Sequence, residues 1–406
     1  MHVQCAVAGG GPAGMMLGFL LARAGVSVVV LEKHADFLRD FRGDTIHPST
    51  LELMHELGIL DEFLERPHQE ARELTGHVAG HTVTIADFTH LPTQCKFIAL
   101  MPQWEFLNFI AEQARRLPTF DLLMRAETTG LVEENGRIVG LTAKTREGPL
   151  EIRADLVVGA DGRHSLDRER AALVVDDFGA PMDVLWLRVS RRQEDPAEVF
   201  GYIEAGHIFV MLDRGDYWQC AYVIPKGAAD EVRARGLPAF RQSIASIVPF
   251  LGDRVGELND WDAVRLLTVT VDCLRRWYRP GLLCIGDAAH AMSPIGGVGI
   301  NLAVQDAVAA ANILAAPLAH GMCSEEELAR VQRRREWPTR MTQWAQLTVQ
   351  NRFLGKVLAG RAPETLPWPI KLLQRWPMLR RIPAYLVGVG IRPEHIRPGT
   401  DVVRPA

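Results

Sequence analysis

Apolar positions come in two rhythms along the first part of the chain, and glycines mark where one gives way to the other. Residues 3–8 (VQCAVA) form a short apolar run suited to a buried strand. A glycine cluster follows, then a helical stretch that reaches about Ala24 and stops at Gly25. Residues 26–31 (VSVVVL) are mostly β-branched with no charge, as in a parallel strand covered on both faces. The three segments predict one βαβ unit. Residues 5–22 carry no charge, close to a membrane span in length, but contain Gly9, Gly10, Gly11, Pro12, Gly14 and Gly18. With no basic stretch before them, they predict a glycine-rich turn inside a fold, and neither a signal peptide nor a transmembrane helix is expected.

Further on, a helix is predicted over 48–57, with Ser49 and Glu52 spaced as a capping box and Gly58 ending it. Another helix starts near Pro102 and ends before Pro118. Asn135-Gly136, flanked by short apolar runs, predicts a two-residue hairpin turn. Residues 184–225 read as several strands, 282–285 as a buried strand and 301–314 as an alanine-rich helix. Beyond Gly360 prolines recur too often for a long helix, so short helices wrapping the body are expected.

Composition changes this picture little. The 406 residues are 48% hydrophobic and 23% charged, an ordinary globular balance with room for more than one domain. The net charge of −4 conceals an asymmetry. From Leu328 onward there are 15 Lys/Arg and four Asp/Glu, leaving 30 Lys/Arg and 45 Asp/Glu before it. The tail therefore carries +11 and the body −15, which suits a basic tail docked on an acidic body. Six scattered cysteines show no C-x-x-C or paired spacing, which argues for a reducing, cytoplasmic setting and against a metal site.

Three motifs carry chemistry. Gly9-Gly10-Gly11-Pro12-Ala13-Gly14 lies between the first strand and its helix, where glycines let backbone amides approach a pyrophosphate. Glu32 stands 18 residues after Gly14, at the end of the second strand, placed to accept from ribose hydroxyls. The second motif is Asp161-Gly162-Arg163-His164-Ser165 with Arg168, after the apolar run 156–160. The third is Gly286-Asp287-Ala288-Ala289-His290, continuing through Pro294 to Asn301. Each of these two delivers a carboxylate at the end of a strand, suited to sugar or ribityl hydroxyls. Dinucleotide binding follows from the first motif, but that motif alone does not separate FAD from NAD.

Taken together and in this order, the motifs resemble those of the p-hydroxybenzoate hydroxylase-type FAD monooxygenases, over about residues 1–320. The resemblance implies an α/β fold: a Rossmann-like, glutathione-reductase-type FAD domain, an inserted β-sheet substrate domain and a helical C-terminal segment. The FAD domain would take residues 1–72, 96–178 and 276–360, the substrate domain 73–95 and 179–275, and the wrap 361–406. It implies noncovalent FAD held by Gly9, Gly11, Pro12, Ala13, Gly14, Glu32, Lys33, Arg42, Gln103, Asp161, Gly162 and Asp287. Gly297, Gly299, Ile300 and Asn301 would meet the pyrimidine side of the ring, and Arg168 would face the NADPH phosphates. Pro294 would lie beside the reactive flavin edge and His47 beside the ring, as candidate catalytic residues. Trp186, Tyr202, Met211 and Tyr222, on strand-like runs of the insertion, are candidates for the substrate wall.

The activity so implied is NAD(P)H- and O2-dependent hydroxylation of an aromatic, quinone- or polyketide-like molecule through a flavin C4a-hydroperoxide. Alternatives are a flavin-dependent reductase of isoprenoid double bonds and a non-catalytic redox sensor. Where flavin halogenases carry Trp-x-Trp-x-Ile-Pro, residues 220–225 read CAYVIP, which argues against halogenation. No nucleic-acid partner is expected. The mixture of bulky apolar and basic residues in 368–386 suits either a membrane surface or packing over the body, and the prolines favour packing.

Overall fold

The computed structural model describes residues 1–38, 45–196, 201–204, 206–360 and 365–397. Its first sheet is built on parallel strands in the order Leu282–Cys284, Gly148–Gly159, His2–Ala8, Val28–Glu32 and Phe120–Met124. Side-chain parity divides the core. Cys5, Val7, Val28 and Val30 pack under the helices, while Ala6, Ala8, Val29 and Leu31 face an antiparallel meander. That meander comprises Glu127–Glu134, Arg137–Thr145 and the long strand Gly148–Gly159. Its turn holds Asn135 at φ +50° and Gly136 at +77°, the two positive angles that make Asn-Gly fit.

Helix Pro12–Arg23 connects the first two strands and is buried over most of its length. A Cβ on Gly18 would fall 2.6 Å from the Val30 side chain, so glycine sets how closely this helix approaches the sheet. Helix Gly299–Ala319 packs on it. The stretch 295–319 is the one described segment long and apolar enough to cross a membrane, but most of it is buried inside the protein. The expected capping box at Ser49 and Glu52 does not form. Helix Pro48–Glu56 starts after His47 without a side-chain cap, and Glu52 accepts instead from the Gln94 amide at 2.7 Å. A capping box does form at Ser324 and Glu327, opening helix Glu325–Val349.

The second sheet has seven strands in the order Arg265–Leu267, Met182–Ser190, Tyr217–Pro225, His207–Asp213, Gly201–Glu204, Glu73–Val78 and His81–Asp87. One face is covered by helix Leu237–Ile247 and the turns after it. The other faces the first domain and the chain's C-terminal part. A small sheet, Thr45–Ile46, Ile98–Leu100 and Gln69–Ala71, bridges the two. The chain ends in short helices, Trp368–Arg375, Pro377–Arg380 and Arg381–Gly388, laid against His81–Asp87.

Candidate active site

The glycine turn lies at the carboxyl ends of the parallel strands, where open α/β sheets bind ligands. Gly9 has φ +107°, and a Cβ there would meet the Ala160 carbonyl oxygen at 2.4 Å. At Gly14 the clash would be with the Gly9 carbonyl oxygen, at 2.0 Å. Gly11 differs, with nothing closer than 4.0 Å. Pro12 opens the helix, no side chain caps it, and the amides of Ala13 and Gly14 are left to an outside acceptor. Glu32 packs on this turn: its Oε2 accepts from the Gly10 amide at 3.3 Å and its Oε1 from the His34 amide at 2.9 Å. Lys33 is exposed beside it, and Arg42 lies outside the described residues.

The other two motifs meet next to this turn. The Arg163 guanidinium stands 3.6 Å from the Asp287 carboxylate, joining the two loops, and Asp287 is about one-third exposed. Gly286, at φ +59°, seats its turn against Ala13 and Ala303. Asp161 is divided between two tasks. Its Oδ2 accepts from the Leu166 amide at 2.7 Å and Oδ1 is buried with no protein partner. Gly162, at φ +88°, has open space beside it. Arg168 does not reach outward as expected, because its guanidinium is held by the Asp272 carboxylate and the Arg163 carbonyl.

Beneath the third motif lies a buried charge cluster that the sequence reading missed. Asp306 accepts from the Gly286 amide at 3.1 Å and pairs with His290 at 2.5 Å and Arg335 at 2.9 Å. Burial alone would raise this carboxyl, but His290 and Arg335 hold it below its usual range. Arg335 also reaches Glu394 at 3.4 Å, tying the far C-terminal segment to the same cluster. His290 thus supports its loop through a buried carboxylate. A lone acid inside the alanine-rich helix was the available signal. Helix Glu325–Val349 adds two buried amides: Gln343 donates to the Asp272 and Ala291 carbonyls, and Gln346 to those of Ser293 and Ile295. Together they fix the segment containing Pro294.

After Pro294 the chain turns through Gly296 and Gly297, both at positive φ, into helix Gly299–Ala319. No side chain caps this helix, so the amides of Gly299, Ile300 and Asn301 form a second free helix N-terminus. The Asn301 side chain is committed elsewhere. It accepts from the His47 amide at 2.9 Å and the Thr50 hydroxyl at 2.7 Å, and it donates to the Thr45 carbonyl. His47 is fully buried, with Nδ1 2.7 Å from the Val387 carbonyl and Nε2 3.3 Å from the Thr45 hydroxyl. Burial lowers its pKa to about 4, so it is neutral and donates through Nδ1. A catalytic part for His47 is therefore corrected: both ring nitrogens are engaged, and the residue fastens the C-terminal segment to the cofactor loop. Gln103 is the partly exposed first residue of helix Gln103–Arg115.

Strand parity also corrects most of the expected substrate wall. Tyr202, Met211 and Tyr222 face the outer core with Phe209, Cys220 and Phe240. Tyr222 is bonded there to Ser243 at 2.9 Å. The residues that alternate with this face, Val184, Val223 and Ile208 in register with one another and Ala221, face inward. Trp186 does point inward. It lies with Val210 at the junction of two apolar clusters, near Leu100, Ile295 and Val387. The indole N–H of Trp186 is buried without a partner.

Two uncapped helix N-termini, glycines that admit backbone approach and the orphaned Asp161 oxygen are the donor and acceptor set that a flavin dinucleotide requires. The FAD binding domain family matches residues 2–345. The chain belongs to this family. A 6-methylpretetramide 4-monooxygenase of Streptomyces rimosus is 33% identical over 388 residues, covering 94% of this chain and 91% of that protein. A para-nitrophenol 4-monooxygenase of Pseudomonas sp. is 26% identical, covering 78% of each. Among solved structures, OxyS anhydrotetracycline hydroxylase from Streptomyces rimosus superposes with a TM-score of 0.74 at 22% identity, covering 96% of this chain and 76% of that one. The protein is an FAD-dependent monooxygenase of the p-hydroxybenzoate hydroxylase-like fold.

Proposed function

We propose that this monooxygenase hydroxylates a flat aromatic, polyketide-like molecule, with NAD(P)H as reductant. The observation that carries the proposal is the part of the second sheet's inward face where Trp186 and Val210, near Ile295, join two apolar clusters and the Trp186 indole N–H is buried without a partner. Such a wall suits a broad ring system with an oxygen at its edge. The family resemblance over nearly the full chain to a 6-methylpretetramide monooxygenase supports the same class.

Bound FAD would supply oxygen activation at its C4a carbon and transfer of one oxygen atom to the substrate. The chain's own work is to hold and to exclude. Ala13, Gly14 and Gly11 would receive the pyrophosphate, Glu32 the ribose and Asp287 the ribityl chain. The free N-terminus at Gly299–Ala319 would stabilise negative charge on the pyrimidine side of a reduced ring. The Pro294 segment, held by Gln346, and the wall at Trp186 would keep water from the reacting atoms and set the approach of the substrate. Arg163, at the meeting of two motifs, is the cation better placed than Arg168 to meet a transient NAD(P)H phosphate.

The test is a panel of simple phenols and polycyclic phenolic aromatics, scored for stimulated NAD(P)H oxidation and for hydroxylated product. Polycyclic compounds should stimulate both. Stimulation confined to small benzoates, or product lacking the new hydroxyl, would overturn the proposed substrate class.

A further inference from the structure

The C-terminal helices have two faces of different character. Inward, Ala384 and Gly388 are buried, the Val387 carbonyl holds His47, and Gln374 donates to the Thr84 carbonyl. Outward, Trp368 is 76% exposed, Trp376 60%, Met378 71%, Ile382 58% and Leu386 51%. A run of exposed bulky apolar side chains is rare on a soluble surface and marks a contact site. Lys371, Arg375 and Arg381 are exposed among them, and none of the three makes an ion pair among the described residues. From Leu366 to Pro393 there is no Asp or Glu at all.

We infer that this outer face docks on the surface of an anionic lipid bilayer. The charge decides between the possible occupants. A second copy meeting the face across a twofold axis would set Lys371, Arg375 and Arg381 against themselves, with no acid in the patch to answer them. An anionic lipid surface answers all three charges at once. Trp368, Trp376 and Tyr385 each join an apolar body to a polar edge, the form that settles at a water–lipid boundary. Short helices broken by Pro369, Pro377 and Pro383 can lie flat there and cannot span. Helix Arg381–Gly388 joins this face to the junction at Trp186, so docking would bring that wall of the substrate region to the lipid surface. The inference stands apart from the substrate class proposed above.

The experiment is co-sedimentation of the FAD-loaded full chain with phosphatidylglycerol-containing vesicles and with pure phosphatidylcholine vesicles, in low and high salt. Binding to the anionic vesicles alone, weakened by salt, is expected. K371E, R375E and R381E should each lower vesicle affinity by more than the roughly five-fold expected for loss of one charge. The double variant W376A/M378A should lower it while leaving FAD content and thermal midpoint unchanged. Absence of binding to anionic vesicles would overturn the inference. So would binding that these variants leave intact, or a concentration-dependent dimer abolished by W376A/M378A in a chain that ignores vesicles.

Discussion

Burial shifts two titratable residues toward their neutral forms, and they limit stability from opposite sides of the pH scale. His47 is lowered to about 4 by burial, so the unfolded chain binds its proton more readily than the folded one. Stability should therefore fall as pH drops from about 6.5 toward 4, by roughly 3 kcal/mol for this group taken alone. Asp167 behaves in the reverse sense. It is fully buried, both carboxylate oxygens lack partners, and burial with the neighbouring Asp161 charge raises it well above the usual carboxylate range. Its folded pKa exceeds its unfolded one, so stability is lost as pH rises toward the folded value. Asp167→Asn should raise the melting temperature at pH 8 and raise it less at pH 5; an equal gain at both would show that the carboxyl is not the cause. Trp186→Phe keeps the apolar bulk and removes one N–H. A rise in KM of about ten-fold with little change in kcat is expected if that N–H binds substrate, since an unmade hydrogen bond to a bound group costs about 1–2 kcal/mol. An unchanged KM would remove Trp186 from the substrate wall.

Among the elements, those set by local chemistry were legible in the sequence. The glycine turn needs its positive φ and close approaches, and the Asn135-Gly136 hairpin needs two positive angles, so residue type alone announces both. Strand Tyr217–Pro225 shows where legibility ended. Its central residues are buried on both faces, so no polar alternation told Tyr222 from Val223, and the outward residue was taken for the inward one. The supports of the cofactor loops were missed for a different reason. Arg335, Gln343 and Gln346 lie on a helix remote in sequence from the loops it holds, and only packing brings them to those loops and to Asp306. Removing one partner of a buried ion cluster typically costs about 3–5 kcal/mol. Asp306→Asn should accordingly lower the thermal midpoint and speed FAD release, read by recovery of free-flavin fluorescence. Gln346→Leu should leave FAD bound while more NAD(P)H is oxidised without product, because the Pro294 segment loses its anchor. Tight coupling in that variant would contradict the assignment.

At the scale of the whole molecule, the C-terminal segment is packed into the candidate site. Val387 holds His47, Glu394 joins the Asp306 cluster, and Ala384 and Val389 complete the apolar junction beside Trp186. The basic tail does meet the acidic body, most directly where Arg335 pairs with Asp306. The exposed Trp and Met side chains show that the same segment also has an unpaired outer face, so packing and surface docking are compatible. Ending the chain after Gly360 should lower the melting temperature and weaken FAD retention; a truncated protein with both unchanged would show the segment to be dispensable. The central claim, a flavin enzyme that inserts oxygen, is tested most directly by turnover of a polycyclic phenol under 18O2 with NAD(P)H. The account predicts product carrying one 18O atom from the gas and an FAD that denaturation releases from the chain. A product reduced at a double bond, or one whose new oxygen comes from water, would contradict it.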